Sequence, residues 1–181
     1  MNIPMIETKR LLLRGFQQAD SEVLAGILAK ENVVQYIGTG RSIPEEKIPL
    51  IIEKILEAWD KNGYGRWAVT LKSTGELIGW SGLEYLPDTG DTEILYLYDE
   101  PYWGKGYASE AAFASLRFWY EHTDLDVIIG LTYPENIPSQ IILKKIGLKY
   151  VREAEYFGLN LFLYNIKRDD YLMDEKKLNL R

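Results

Sequence analysis

Apolar positions along this chain keep two different spacings, and the change from one to the other divides it into elements. Val23, Leu24, Ile27 and Leu28 recur three and four residues apart, and so do Ile48, Ile51, Ile52, Ile55, Leu56 and Trp59. That recurrence stacks side chains on one side of a helix, so both segments are predicted to be amphipathic helices. Asp20 stands where an N-cap would start the first helix, Pro44 with Glu45 and Glu46 opens the second, and Asn62-Gly63 ends it. Ahead of both, Leu11 to Leu13 after the polar run Glu7 to Arg10 reads as a first strand.

Beyond Gly63 the spacing shortens. Trp67 to Leu71, Glu76 to Tyr85 and Thr92 to Tyr98 are rich in β-formers and are separated by Ser73-Thr74-Gly75 and Pro87-Asp88-Thr89-Gly90, the pattern of an antiparallel meander. After Pro101 comes a glycine-containing turn. A helix through Ala111, Ala112, Leu116, Phe118 and Trp119 follows, then a strand at Val127 to Leu131, so the strands flanking this helix should be parallel. Asn136 to Lys145 reads as a short helix closed by Gly147, and Leu148 to Val151 and Leu159 to Ile166 as two last strands. No repeat, low-complexity tract or linker divides the sequence. It is therefore expected to be one α+β domain over 1–181, with its core in about 7–167 and a charged tail at 168–181 that frays.

Composition narrows the chemistry. The 181 residues are 46% hydrophobic, enough for one sizeable core, and 21 basic against 27 acidic residues give a net charge of −6. No dense Lys/Arg block offers a nucleic-acid footprint, whereas the negative balance suits a cationic amine. There is no cysteine and only His122, which rules out disulfides, thiolate metal sites and paired histidine ligands. No metal is expected, and chemistry must run on carboxylates, hydroxyls and backbone groups. Neither a leader-like start nor an apolar run of membrane-spanning length is present, so a cytoplasmic protein without a membrane partner is expected.

The turn at Trp103-Gly104-Lys105-Gly106-Tyr107-Ala108-Ser109 lies between a strand and a helix, where unpaired N–H groups and the helix dipole favour an anion. Small residues at 104, 106 and 108 let a phosphate approach the backbone. A plain strand-to-helix turn is the alternative. Two nucleotide motifs fail here. A P-loop would need glycine at Asp99 and a hydroxyl at Gly106, and a dinucleotide fingerprint would need glycine at Ser109 after the first strand of a parallel unit.

The block Glu100 to Ala111 resembles the acetyl-CoA pyrophosphate loop of the GNAT N-acetyltransferases, in the branch of ribosomal-protein N-terminal acetyltransferases. The family pattern, Gln or Arg, two residues, Gly, one residue, Gly or Ala, is matched by Gly106 and Ala108, with Trp103 at the first position. Glu7-Thr8-Lys9-Arg10-Leu11 resembles the branch's opening strand, Trp67-Ala68-Val69 with Gly75 to Gly79 its central hairpin, and Asn136 to Ser139 through Lys145 to Leu148 its asparagine-to-glycine helix. The resemblance spans about 7–167.

It implies a mixed, largely antiparallel twisted sheet flanked by helices, splayed between the strands on either side of the loop, with acetyl-CoA as acyl donor in the gap. Leu97, Trp103, Gly104, Lys105, Gly106, Tyr107, Ala108, Ser109 and Asn136 are the implied cofactor contacts. A neutral amine would attack the thioester directly in a ternary complex, with backbone N–H groups near Leu97 at the oxyanion. Glu93 matches the family's base; with an ordinary carboxylate pKa it would act through water. Ser139 matches a hydroxyl proposed to protonate the leaving thiolate, because Leu143 stands where many relatives have tyrosine. Tyr133, Tyr150, Tyr156 and Tyr164 are substitute acids, and simple helix capping is the other reading of Ser139. Lys105, Lys144 and Lys145 are candidates to offset phosphate charge, and His122 reads as a helix C-terminal residue. An α-amine is easier to deprotonate than a lysine, which favours a protein N-terminus as acceptor over a polyamine or aminoglycoside. A non-catalytic acyl-CoA-binding module is the reading outside enzymes. The acceptor would be read by the segments 33–44, 85–91 and 156–160, in a monomer or homodimer.

Overall fold

The computed structural model describes residues 3–38 and 40–171. In chain order these form strands β1 (Ile6–Glu7) and β2 (Leu11–Arg14), helices α1 (Ser21–Leu28), α2 (Glu31–Val34) and α3 (Ile48–Asn62), and strands β3 (Arg66–Leu71), β4 (Leu77–Tyr85) and β5 (Thr92–Tyr98). Helix α4 (Tyr107–His122), strand β6 (Val127–Thr132), helix α5 (Ile137–Lys145) and strands β7 (Lys149–Tyr156) and β8 (Leu159–Lys167) complete the order. The strands make one mixed, largely antiparallel sheet in the order β1-β2-β3-β4-β5-β6-β8-β7. Only β5 and β6 run parallel, as α4 between them requires.

Register explains how the core is assembled. Leu13 pairs with Val69 and Trp67 with Ser81, which sets these side chains on one face; there Ser81 meets Ser115 of α4 at 3.2 Å. Trp59, Trp67 and Phe118 lock α3, β3 and α4 together by edge-on ring contacts with centroids 4.7, 5.0 and 5.7 Å apart. Such pairs add about 0.5–1.5 kcal/mol each beyond the area they bury. A second, smaller apolar cluster of Leu86, Ile129, Ala154 and Leu163, with Leu131 and Tyr156 against it, sits apart on the β6–β8 arm.

Three expectations change. Asp20 makes no side-chain cap on α1; its buried carboxylate instead takes both Arg14 Nη2 (2.7 Å) and Gln17 N–H (2.7 Å). Strand β7 continues to Tyr156, five residues past Val151, because Arg152, Glu153, Ala154 and Glu155 find partners on β8 even though their mixed polarity carries no strand signal. Residues 168–171 of the anticipated tail do not fray. Arg168 donates to the carbonyl of Tyr120 (2.7 Å) and Tyr171 stacks on Tyr120 at 4.9 Å, docking this segment on α4. The rest of the tail, 172–181, lies outside the described residues.

Candidate active site

The parallel contact between β5 and β6 amounts to one paired position, Glu93 with Ile129. Both strands continue beyond it without pairing to each other, β5 to Tyr98 along β4 and β6 to Thr132 along β8, so a gap opens between them toward their C-terminal ends. Asp99 N–H donates to Ile78 O of β4 (2.9 Å). Strand alternation then turns the backbone groups of Tyr96 and Tyr98, on either side of Leu97, toward the gap. Leu97 itself is buried, its carbonyl against Gly79 of β4.

The next residues build the wall of this gap. Glu100 to Tyr102 form one 3-10 turn, and Trp103, 46% exposed, folds back so that its Nε1 donates to Tyr98 O (2.6 Å). Gly104 and Gly106 have φ of 72° and 78°, left-handed values that favour glycine. Gly106 is the N-cap of α4 and supplies no side-chain cap. The first bond inside the helix runs from Glu110 N–H to Gly106 O (3.1 Å), leaving the N–H groups of Tyr107, Ala108 and Ser109 without intrahelical acceptors. An uncapped helix start behind a left-handed glycine fits a diphosphate.

The loop is braced from the opening strand pair. Arg10 Nη1 donates to Lys105 O (2.8 Å), Arg10 Nε to Glu110 (2.6 Å), and Thr8 Oγ1 to the same carboxylate (2.6 Å). The Arg10 guanidinium also lies 4.4 Å from the Tyr107 ring centroid. Partial burial acts to raise the Glu110 carboxyl; the Thr8 and Arg10 hydrogen bonds outweigh it and hold it below its ordinary value. Lys105 Nζ lies 5.6 Å from the Tyr102 ring centroid. Lys144 and Lys145 are exposed in the last turn of α5, at the far end of that helix from Ser139, so the fold does not group them with the loop.

Across the gap, Asn136 caps α5: its Oδ1 accepts from Ser139 N–H at 3.2 Å. Capping is thus the task of Asn136, which leaves the Ser139 hydroxyl for another partner. That partner is Tyr96 of β5, with hydroxyl oxygens 3.0 Å apart. The four tyrosines considered as substitute acids each have other partners. Tyr133 lies against Tyr36, Tyr150 against Phe162, Tyr156 donates to Asp91 (2.8 Å) and Tyr164 to Gln140 (3.3 Å). His122 packs its ring on Phe118 (4.9 Å) at the end of α4, as its position suggested.

Glu93 is three positions from Tyr96 on a regular strand, so the two side chains leave opposite faces of the sheet. Its carboxyl is pushed up to about 8, foremost by burial, then by the charge of Glu84 directly across on β4. The Arg66 charge and the Leu131 backbone N–H oppose that rise. Glu84 is itself ion-paired to Arg66, whose guanidinium lies 5.1 Å from the Trp80 ring centroid. The ordinary acidity expected of Glu93 therefore does not hold: its carboxyl is raised to about 8, so the ionised form, which prevails only above that pH, is basic enough to take a proton directly.

A strap from the first helices crosses the open end of the gap. Lys30 pairs with Asp99 just past β5 (2.6 Å), Asn32 Nδ2 donates to Glu100 (2.7 Å), and Tyr36 reaches Tyr133 just past β6, ring centroids 5.4 Å apart. Tyr96, Arg10, Glu84, Arg66 and Lys30 were not legible as site residues in the sequence. Each acts through a partner at least 18 positions away, and no local pattern marks such pairs. Among the described residues there is no cluster able to hold a metal ion and no helix long and apolar enough to cross a membrane.

A split parallel pair with an uncapped glycine turn at its mouth has the form an acyl-CoA would need, and comparison with known proteins shows the family. Residues 10–149 match the family model for the acetyltransferase (GNAT) domain, and the chain belongs to that family. It is similar to the uncharacterized N-acetyltransferase YnaD of Bacillus subtilis, 33% identical over 144 residues that cover 80% of this chain and 82% of the relative. Among solved structures, an acetyltransferase of Agrobacterium tumefaciens matches with a TM-score of 0.81 and 26% identity, covering 92% of this chain and 95% of that one. The fold is also that of RimL, a ribosomal L7/L12 α-N-protein acetyltransferase solved with coenzyme A, at a TM-score of 0.78 and 17% identity over 92% and 99% of the two chains. The protein is an acetyl-CoA-dependent N-acetyltransferase.

Proposed function

We propose that the acceptor is a protein or peptide N-terminal α-amine, with Glu93 as the base and the Ser139 and Tyr96 hydroxyls at the departing sulfur. The observation that carries this reading is the place of Glu93, at the one paired position from which β5 and β6 part, where burial and the Glu84 charge raise its carboxyl. Raised to about 8, it lies nearer an ordinary α-amine, about 7.7–8.0, than an ordinary carboxylate does, which makes proton transfer from that amine easier. A lysine-like amine near 10.4 lies about 2.4 units higher, an added ~3.3 kcal/mol at 1.36 per unit.

Acetyl-CoA supplies an activated acetyl thioester. The N–H groups of Tyr107, Ala108 and Ser109 would hold its diphosphate, and those of Tyr96 and Tyr98 face the gap where the carbonyl oxygen needs donors. Glu93 receives the amine proton on one face of the sheet; Ser139 and Tyr96 offer hydroxyls on the other. Burial raises the Tyr96 hydroxyl far above its ordinary value, so it keeps its proton and serves as a hydrogen-bond donor. The test is steady-state transfer from acetyl-CoA to a tetrapeptide with a free α-amine and to its Nα-blocked, lysine-containing counterpart. Preference for the first by tenfold or more in kcat/KM is expected, and equal rates or preference for lysine would overturn the assignment.

A further inference from the structure

Resting on the α-amine reading, a second feature of the same pocket bears on which N-termini it accepts. Tyr156 and Leu159 are paired, so β7 and β8 are joined by only two residues, Phe157 and Gly158, both with positive φ (57° and 72°). This is the type I′ turn, whose first position favours Asn, Asp or Gly. Phe157 is the only non-glycine residue with positive φ among the described residues, and an aromatic side chain is poorly suited to that conformation. Among the described residues no packing offsets the strain: the ring is 63% exposed, belongs to neither apolar cluster, and has Tyr156, at 6.3 Å, as its one ring neighbour there. A strained, exposed aromatic that a better turn-former could replace points to use by a ligand.

The hairpin tip lies where an acceptor must enter. Although β7 is the far edge of the sheet, Tyr156 donates to Asp91, one residue before β5, so the tip arches over β6 toward Glu93. Beneath it lies the smaller apolar cluster of Leu86, Ile129, Leu131, Ala154 and Leu163. Glu84 is ion-paired with Arg66 and Glu93 takes the Leu131 N–H, so what the tip itself offers beside them is the exposed Phe157 ring above this apolar cluster, a surface that suits an acceptor with an apolar body.

We propose that Phe157 is a specificity residue at the pocket mouth, its ring packing against the apolar first side chain of an acceptor peptide. Phe157→Asn separates this from a structural role, because asparagine suits the turn but removes the ring. The probes are Leu-Ala-Ala-Ala and Gly-Ala-Ala-Ala, which differ only in the apolar group beside the amine. The parent is expected to favour the leucine peptide by roughly 10–200-fold in kcat/KM. Phe157→Asn should bring that ratio below about threefold, mainly through KM, while raising Tm by about 2–4 °C and leaving CoA affinity, measured by calorimetry, within twofold. An unchanged ratio in Phe157→Asn, or a parent with no leucine preference, overturns the contact while transfer to α-amines stands. A drop in Tm would show that the ring stabilises the fold and would overturn it equally. A parent that binds CoA but acetylates neither peptide removes the α-amine reading and this contact together.

Discussion

The two sides of the β5–β6 gap are built on different principles. On the side proposed for the cofactor, the groups on offer are the main-chain N–H donors of Tyr107, Ala108 and Ser109, presented by a glycine turn within one short stretch of chain. On the side proposed for the acceptor they are side chains, Glu93 with Glu84 and Arg66 around it, and Tyr156 and Phe157, drawn from four strands and a hairpin tip. A shared donor needs a fixed receptor, and backbone geometry provides one that most substitutions leave alone. An acceptor site built from side chains can change by single substitutions while the fold and the cofactor site persist.

If that division holds, variants on the two sides should fail differently. The largest effect is expected for Glu93→Gln, a loss of about 10²- to 10⁴-fold in kcat, greater for lysine-like than for α-amines, with CoA affinity nearly unchanged. Equal loss across an amine series would remove Glu93 from the base role. The same variant has a stability signature. Because the folded carboxyl keeps its proton up to about 8 whereas the ordinary value is 4.5, the parent should lose stability as pH rises through that window. Thermal melts of Glu93→Gln should lack that decline.

Gly106→Val should act on the other side. A branched residue at φ 78° strains the turn, and its Cβ would sit 3.4 Å from Arg10 Nη2, inside the anion cradle. Losing two or three charge-assisted hydrogen bonds at about 1.5–3 kcal/mol each predicts CoA binding at least ~100-fold weaker in a protein that circular dichroism shows to be folded. A folded variant with parental CoA affinity would refute the loop assignment. Ser139→Ala tests the seam between the two sides: a fall of roughly tenfold in kcat is expected with α5 intact, since Asn136 rather than Ser139 caps it. Loss of helicity instead would mean that the hydroxyl is structural.

The smallest effects should come from the charges around Glu93. Glu84→Gln removes the like charge that helps hold its carboxyl up, so the rising limb of the kcat/KM profile should move to lower pH. Arg66→Met removes the opposing positive charge and should move it higher. Each shift is expected to be about half a unit to one unit, and profiles that stay in place would show that the pair acts only through structure.

Most of the secondary structure and the whole glycine turn before α4 were legible in the sequence, because both depend on local spacing. Helical recurrence in Ile48 to Trp59, each strand and turn of the meander from Trp67 to Tyr98, and the run Trp103 to Ser109 carry their signal in residues that are near neighbours in sequence. Glu93, Ser139 and Asn136 were placed on the gap's borders by family likeness alone. Tertiary structure decided what these residues face. Burial beside Glu84 raises Glu93 out of the ordinary carboxylate range, pairing across the gap joins Ser139 to Tyr96, and a salt bridge from Arg10 to Glu110 braces the loop across 100 positions. It also decided the length of β7, since Arg152 to Glu155 become a strand only because β8 lies beside them. The physical reason is common to all four cases. Helix and turn signals arise from neighbours in sequence, whereas desolvation, charge coupling and sheet pairing depend on distances that exist only once the chain has folded.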